Sequence, residues 1–287
     1  MRAMRRRVPV TEELHCDGPD LERLSVSRLL ARLHAGDLEA VGAVSRALPQ
    51  LARLVGEAVA ALGTGGRLAY AGAGTSGRLA ALDAAECPPT FGVLPGRVVA
   101  LVAGGAAALS RAIDGAEDDA GAARRAVRKA RLGRGDLLVA VSASGGTPFA
   151  LAALDEARRR GVRTALLTSN PSAHGRAHLR VLLRTGPERV AGSTRMKAGT
   201  AAKMALGLLS TATFVRLGAV RGGRMAALRG TSEKLKERAV RNVAALLGMD
   251  AAAARRRLAT AGWDMARVLG RKAASPGSLA RPRRRRG

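Results

Sequence analysis

The 287-residue sequence predicts an α/β protein: a doubly wound, five-stranded parallel sheet with helices before it and a small helical module after it. Three observations carry this. From Arg67 onward, short apolar runs at 67–71, 97–102, 136–141, 162–168 and 179–184 alternate with helix-periodic stretches near 76–86, 106–131 (with a break) and 148–160. Strands separated by crossover-length helices pair in parallel, in sheets covered on both faces. Glycine- and hydroxyl-rich turns follow the first and third runs, at the strand ends where open α/β sheets hold ligands.

The elements follow in order. Residues 20–62 read as helix, with Leu21, Leu24, Leu29, Leu30 and Leu33 at helical spacing. Gly36-Asp37 is expected to break and recap that helix. A second run from Leu38 passes Pro49 and ends at the glycines after Leu62. This region shows no polar constellation and reads as packing or subunit contact. After Gly186 the chain turns into a long helix, with Ser193-Thr194 as the expected cap and Met204, Leu208, Leu209 and Phe214 in its apolar stripe. Beyond Gly222-Gly223, helices are expected near 232–247, 250–261 and 263–273.

Composition removes several function classes. The formal charge is +27, from 49 Lys and Arg against 22 Asp and Glu, but much of the excess lies in short runs such as 5–7, 158–160, 255–257 and 281–286. Aromatics are 2%, too few for a base-stacking platform, so no nucleic-acid partner is expected. The basic N-terminus has no apolar segment behind it, and the longest apolar runs look too short to span a bilayer. Cys16 and Cys87 form neither a disulfide framework nor a metal pattern, and His174 and His178 lack a third ligand. The expectation is a cytoplasmic protein without a metal or membrane.

Two turns and two carboxylates carry the candidate chemistry. Gly72-Ala-Gly-Thr75-Ser76-Gly77 follows the first strand and opens a helix, so its backbone N–H groups and the helix dipole suit an anion. It is neither a dinucleotide fingerprint nor a P-loop. Ser142-Ala-Ser144-Gly145-Gly146-Thr147-Pro148 is a second cradle, in which Thr147 is expected to cap the next helix and Pro148 to fill its first turn. Glu86 stands before Cys87-Pro88-Pro89, where the prolines are expected to stop the helix. Glu117 lies in Asp114-Gly-Ala-Glu117-Asp118-Asp119. Two carboxylates in unequal environments form a general acid and base. Arg195 and Lys197 offer positive charge.

These stretches together resemble the N-acetylmuramic acid 6-phosphate etherases of the sugar isomerase (SIS) domain superfamily. The likeness rests on AGAGTSGRLAALDAAECPPTFGV (71–93), AIDGAEDD (112–119), SASGGTP (142–148), GSTRMKAGTAAKMALGLLST (192–211) and TSEKLKERAVRNV (231–243), in the family's order from about 20 to 270. It implies a phosphosugar substrate, no cofactor and a homodimer with sites near the subunit interface. Glu86 falls at the proton-donor position and Glu117 at the second active-site carboxylate. Thr75, Ser76, Gly77, Ser142, Ser144, Gly145, Thr147, Ser193 and Lys197 fall at substrate or phosphate positions. The chain departs from the family at Gly146 and Phe149, where SASGRTPY is usual, at Gly207, usually Asn, and at Asp114, usually Glu. A segment from Arg221 to Arg229 also diverges. Implied boundaries are a flexible basic N-terminus (1–19), an N-terminal helical segment (20–57), the SIS domain (58–221), a C-terminal helical module (222–274) and a disordered basic tail (275–287). A non-catalytic sugar-phosphate regulator and a phosphosugar isomerase remain the alternatives.

Overall fold

The computed structural model describes residues 8–16 and 18–270. The expected basic tail, and the arginine runs at 5–7 and 281–286, lie outside the described residues. Helix α1 (Val26–Gly63) is followed by β1 (Leu68–Gly72), α2 (Gly74–Phe91), β2 (Val98–Val102) and α3 (Ala120–Lys129). Then come β3 (Leu137–Val141), α4 (Pro148–Arg159), β4 (Arg163–Thr168), β5 (Leu179–Leu182) and α5 (Lys197–Arg216). The five strands form one parallel sheet in the order β2-β1-β3-β4-β5. The predicted strands therefore stand, each within a residue or two. Their apolar runs are buried on both faces, as in β1 and β3, where every residue is buried.

Helices α1, α2 and α5 cover one face, packing Leu54, Ala80, Cys87, Leu206 and Phe214 against the sheet. Helices α3 and α4 cover the other, with Val127, Phe149 and Leu154. After α5, a two-residue hairpin, β6 (Val220–Arg221) and β7 (Arg224–Met225), turns through Gly222-Gly223, both at positive φ. Then α6 (Glu233–Leu247), α7 (Ala251–Thr260) and α8 (Met265–Val268) enclose a separate apolar cluster around Leu228, Val243 and Leu258.

Several local expectations change. The chain does not break at Gly36-Asp37, for α1 runs unbroken over 38 residues and through Pro49. Gly36 is there for space: a Cβ on it would meet the aliphatic stem of Lys197 at 3.1 Å. The leucines at 21, 24, 29, 30 and 33 stay outside the core, and Leu30 is 60% exposed. Leu208, expected in the buried stripe of α5, is exposed, whereas Leu209 and Phe214 are buried. Helix α5 itself, 20 residues long, is apolar enough to cross a membrane by length and composition. The reading of short apolar runs overlooked it. Here its apolar residues face α1 and α2 instead.

Candidate functional site

The strand order reverses between β1 and β3, and the two glycine turns leave the sheet at those two strand ends. Gly72 is level with Val141 in the register. Such a switch point is where a crevice opens in an open α/β sheet. Helix α2 starts two residues after β1 with no side chain capping it. Helix α4 starts at Pro148, and Thr147 occupies the cap position without making a cap bond. Its hydroxyl is turned to Ser142 instead, Oγ1 to Oγ at 2.8 Å. Two helix N-termini thus point unplugged at one crevice, an arrangement that favours a phosphate.

The second cradle holds its own shape. Ser142 Oγ accepts from the Gly145 N–H at 3.1 Å, and Ser144 Oγ from the Gly146 N–H at 3.2 Å. Gly145 has φ +66°, and a Cβ there would drive into Ala173 and Thr168. Ser76 lines the same recess as Ala143, Thr168, Ser169, Thr194 and Ala198. Gly77 is buried with its N–H bonded to Ala73 O at 3.1 Å, and the Thr75 methyl faces Gly199 of α5. Thr168, Ser169 and Thr194 were missed by the sequence reading. Ser169 follows β4, which ends at Thr168, as Ser142 follows β3, and that parallel was the available signal. Of the departures, Phe149 is buried under the cradle. A Cβ at Gly207 would meet open space, and one at Gly146 only Ser144 Oγ at an ordinary 3.8 Å.

The STRMK stretch behaves differently from expectation. Ser193-Thr194 does not cap α5. The cap is the fully buried carboxylate of Glu188, which accepts from the N–H groups of Lys197 and Ala198, both at 2.9 Å. A carboxylate from the loop just before the helix satisfies two orphan donors and the helix dipole together. Ser193 lies in the turn before it, its carbonyl accepting from Met196 N at 3.0 Å. Lys197 is 2% exposed, its ammonium paired with Glu39 and bonded to Pro187 O at 2.9 Å. Glu39 also pairs with Arg189, and Asp37 accepts from Thr200 at 3.1 Å. Lys197 therefore ties α5 to α1 rather than facing the crevice, and α1 does carry a polar constellation. Arg195 is exposed.

The two carboxylates are not brought together within the chain. Glu117 sits in a 3-10 turn (Ala116–Asp118) beyond the carboxyl end of β2, packed toward α4, on the crevice side of the sheet. Glu86 rides on α2, which returns the chain toward the amino end of the strands so that β2 can start level with β1. Ten residues separate Ser76 from Glu86, about 15 Å of helix rise. Both carboxylates are exposed, and neither makes a hydrogen bond or ion pair among the described residues. Pro88 and Pro89 do not stop the helix, which continues to Phe91 and ends at Gly92 in the left-handed region. Around that turn, Phe91 stacks on Phe214 at 4.7 Å, and the Cys87 thiol donates to Asp83 O at 3.2 Å.

Burial, helped by the neighbouring Asp83, pushes the Cys87 thiol far above its usual range, whereas Cys16 is exposed. A disulfide reagent should accordingly titrate one thiol in native protein at neutral pH and two after unfolding. Rapid reaction of both in the native state would contradict the packing described. His178 accepts from Thr164 N at 3.1 Å, and no group of three possible metal ligands occurs among the described residues.

The profile of the glucokinase regulatory protein N-terminal SIS domain matches residues 50–158. The chain is 45% identical to the N-acetylmuramic acid 6-phosphate etherase of Deinococcus radiodurans, over 90% of this chain and 86% of that protein. It is 42% identical to the etherase of the same name from Erwinia tasmaniensis, over 89% and 84%. The structure of a phosphoheptose isomerase from Francisella tularensis superposes with a TM-score of 0.51 at 16% identity, covering 66% of this chain and 98% of that one. At that identity the likeness speaks for the fold, an SIS-type α/β sheet, alone.

Proposed function

We infer the reaction from one premise: this chain belongs to the N-acetylmuramic acid 6-phosphate etherase family. It is accordingly an etherase, and a carbon–oxygen lyase of cytoplasmic cell-wall sugar recycling. With the sugar ring open, a carboxylate removes the proton from carbon 2, which the neighbouring aldehyde acidifies. The electron pair forms the carbon 2–carbon 3 double bond as the ether breaks. D-lactate leaves from carbon 3, protonated by a general acid. Water then adds at carbon 3 and carbon 2 regains a proton, giving N-acetylglucosamine 6-phosphate. Glu86 and Glu117 serve as this acid and base. No cofactor enters the scheme.

The phosphate goes to the crevice at the switch point, with Thr75, Ser76 and Gly77 on one side and Ser142, Ser144, Gly145 and Thr147 on the other. Ser193 lies nearby, whereas Lys197 supports the site through α5. The placement of the carboxylates toward opposite ends of the strands supports a homodimer in which each site joins Glu117 of one subunit to Glu86 of the other. The surface that would meet a second copy is at hand. Leu38, Val41 and Leu48 of α1, Leu208 and Val215 of α5 and Leu82 of α2 are all exposed apolar residues on the same layer.

The observation that carries this reading is the identity spread over nine-tenths of the chain. Purified protein should release D-lactate from N-acetylmuramic acid 6-phosphate. Ser76→Ala and Ser142→Ala should raise KM by about tenfold, the loss of one charge-assisted hydrogen bond. Unchanged KM in both would remove the phosphate from this crevice. The match to the regulatory-protein profile keeps one other reading in view, a non-catalytic sugar-phosphate sensor. Phosphosugar that raises the melting temperature without any lactate release would select it.

A further inference from the structure

Between α2, β1 and α5 lies a polar cluster that neither the phosphate nor the two reacting carboxylates use. Asp83, one helical turn before Glu86, accepts from Tyr70 OH through Oδ2 and from Ser210 Oγ through Oδ1, each at 2.8 Å. Tyr70 is fully buried in the middle of β1, and Ser210 is buried in α5. Asp83's own carbonyl receives the Cys87 thiol. One side chain therefore clamps α2 to the sheet and to α5 at the turn that leads into Glu86.

That turn needs a clamp. Pro88 and Pro89 have no N–H, so the carbonyls of Ala84 and Ala85, just before Glu86, lose their ordinary helix bonds. A carboxylate is an expensive clamp. Burial pushes the Asp83 carboxyl above its usual range, against the opposing effect of the two hydroxyls and of Lys203. The groups facing it are Tyr70 from β1, Ser210 and Lys203 from α5, and Cys87 from α2 itself. No cation lies within ion-pair distance of it among the described residues. A neutral residue of the same shape would remove the burial cost. What the charge adds is strength and direction, because hydrogen bonds to an ionised carboxylate are roughly twice as strong as neutral ones.

We propose that Asp83, held by Tyr70 and Ser210, is a positioning residue for Glu86, retained as a carboxylate at the expense of stability. The proposal rests on the etherase reading. Its sign is testable: a carboxyl whose folded pKa is raised destabilises the fold once pH exceeds its unfolded value, and Asp83→Asn removes that penalty at neutral pH.

The experiment measures lactate release and thermal unfolding of the full chain, as wild type, Asp83→Asn, Ser210→Ala and Ser210→Thr. Asp83→Asn should keep or raise its melting temperature at pH 7 while kcat falls about tenfold to a hundredfold, since misplacing a catalytic group by an ångström costs that much. KM should move less than about threefold. Ser210→Ala should lose kcat in the same direction, and Ser210→Thr, which keeps the hydroxyl, should recover most of it. An Asp83→Asn enzyme with wild-type kcat overturns the proposal. So does a kcat loss that merely follows a fall in melting temperature, which is the mark of a structural role. Wild-type protein that releases no lactate brings down the etherase reading and this inference with it. Activity in the wild type matched by Asp83→Asn brings down this inference alone.

Discussion

Glu86→Gln and Glu117→Gln, each inactive alone, should together regain about one quarter of wild-type activity when co-expressed or refolded as a mixture. Each variant alone should lose on the order of 10²- to 10⁴-fold in kcat, the range for removing a general acid or base. In a two-fold dimer whose sites pair Glu117 of one subunit with Glu86 of the other, a mixed dimer contains one site with both carboxylates and one with neither. Half the dimers in a random mixture are mixed, and half of their sites work. If both carboxylates served the same subunit's site, no mixture would recover anything. The physical basis is the rise of α2, which puts about 15 Å between Ser76 and Glu86 and carries Glu86 toward the amino end of the strands, whereas Glu117 lies beyond their carboxyl end. Recovery at the background of the single variants would return both groups to one chain.

The second large effect concerns the end of that helix. Gly92 has φ +65°, and a Cβ on it would fall within the carbonyl of Ala227, a backbone atom with nowhere to go. Gly92→Ala should therefore cost about 3 kcal/mol or more, combining left-handed strain with a displaced segment. Gly96→Ala is the control, because Gly96 has φ +83° but open space around its Cβ. It should cost about 1 kcal/mol, the conformational part alone. Urea unfolding of the two variants separates the terms. Equal losses would show that the approach of Ala227 contributes nothing.

What was legible in the sequence, and what was not, divides by the range of the forces involved. The strands were readable because a doubly covered sheet needs unbroken apolar runs, and Leu137 to Val141 cannot be much else. The second glycine turn was readable because its left-handed, closely packed position at Gly145 admits only glycine. The errors were tertiary. Gly36 looked like a helix break, but its missing side chain makes room for Lys197, 161 positions further along. Lys197 read as available positive charge because nothing nearby in sequence announces Glu39 as its partner. Glu188, nine residues before Lys197, displaced the expected Ser193-Thr194 cap. Pro88-Pro89 looked like a stop, yet Phe214 of α5 stacks on Phe91 just past that turn, a contact nothing nearby in sequence announces. The position of Glu86 relative to Ser76 was measurable from the ten-residue spacing, provided the helix was known to continue.

In the proposed dimer, α2 acquires a property that no single-site description contains. Each α2 would lend its first turn to one catalytic centre and its Glu86 to the other. The two centres would then be joined by two stiff rods rather than by a compliant interface. An axial shift of α2 as phosphate seats at its first turn would move the acid of the opposite centre by the same amount. Occupancy of one centre would thus bear on turnover in its twin, a linkage carried by 18 residues of helix.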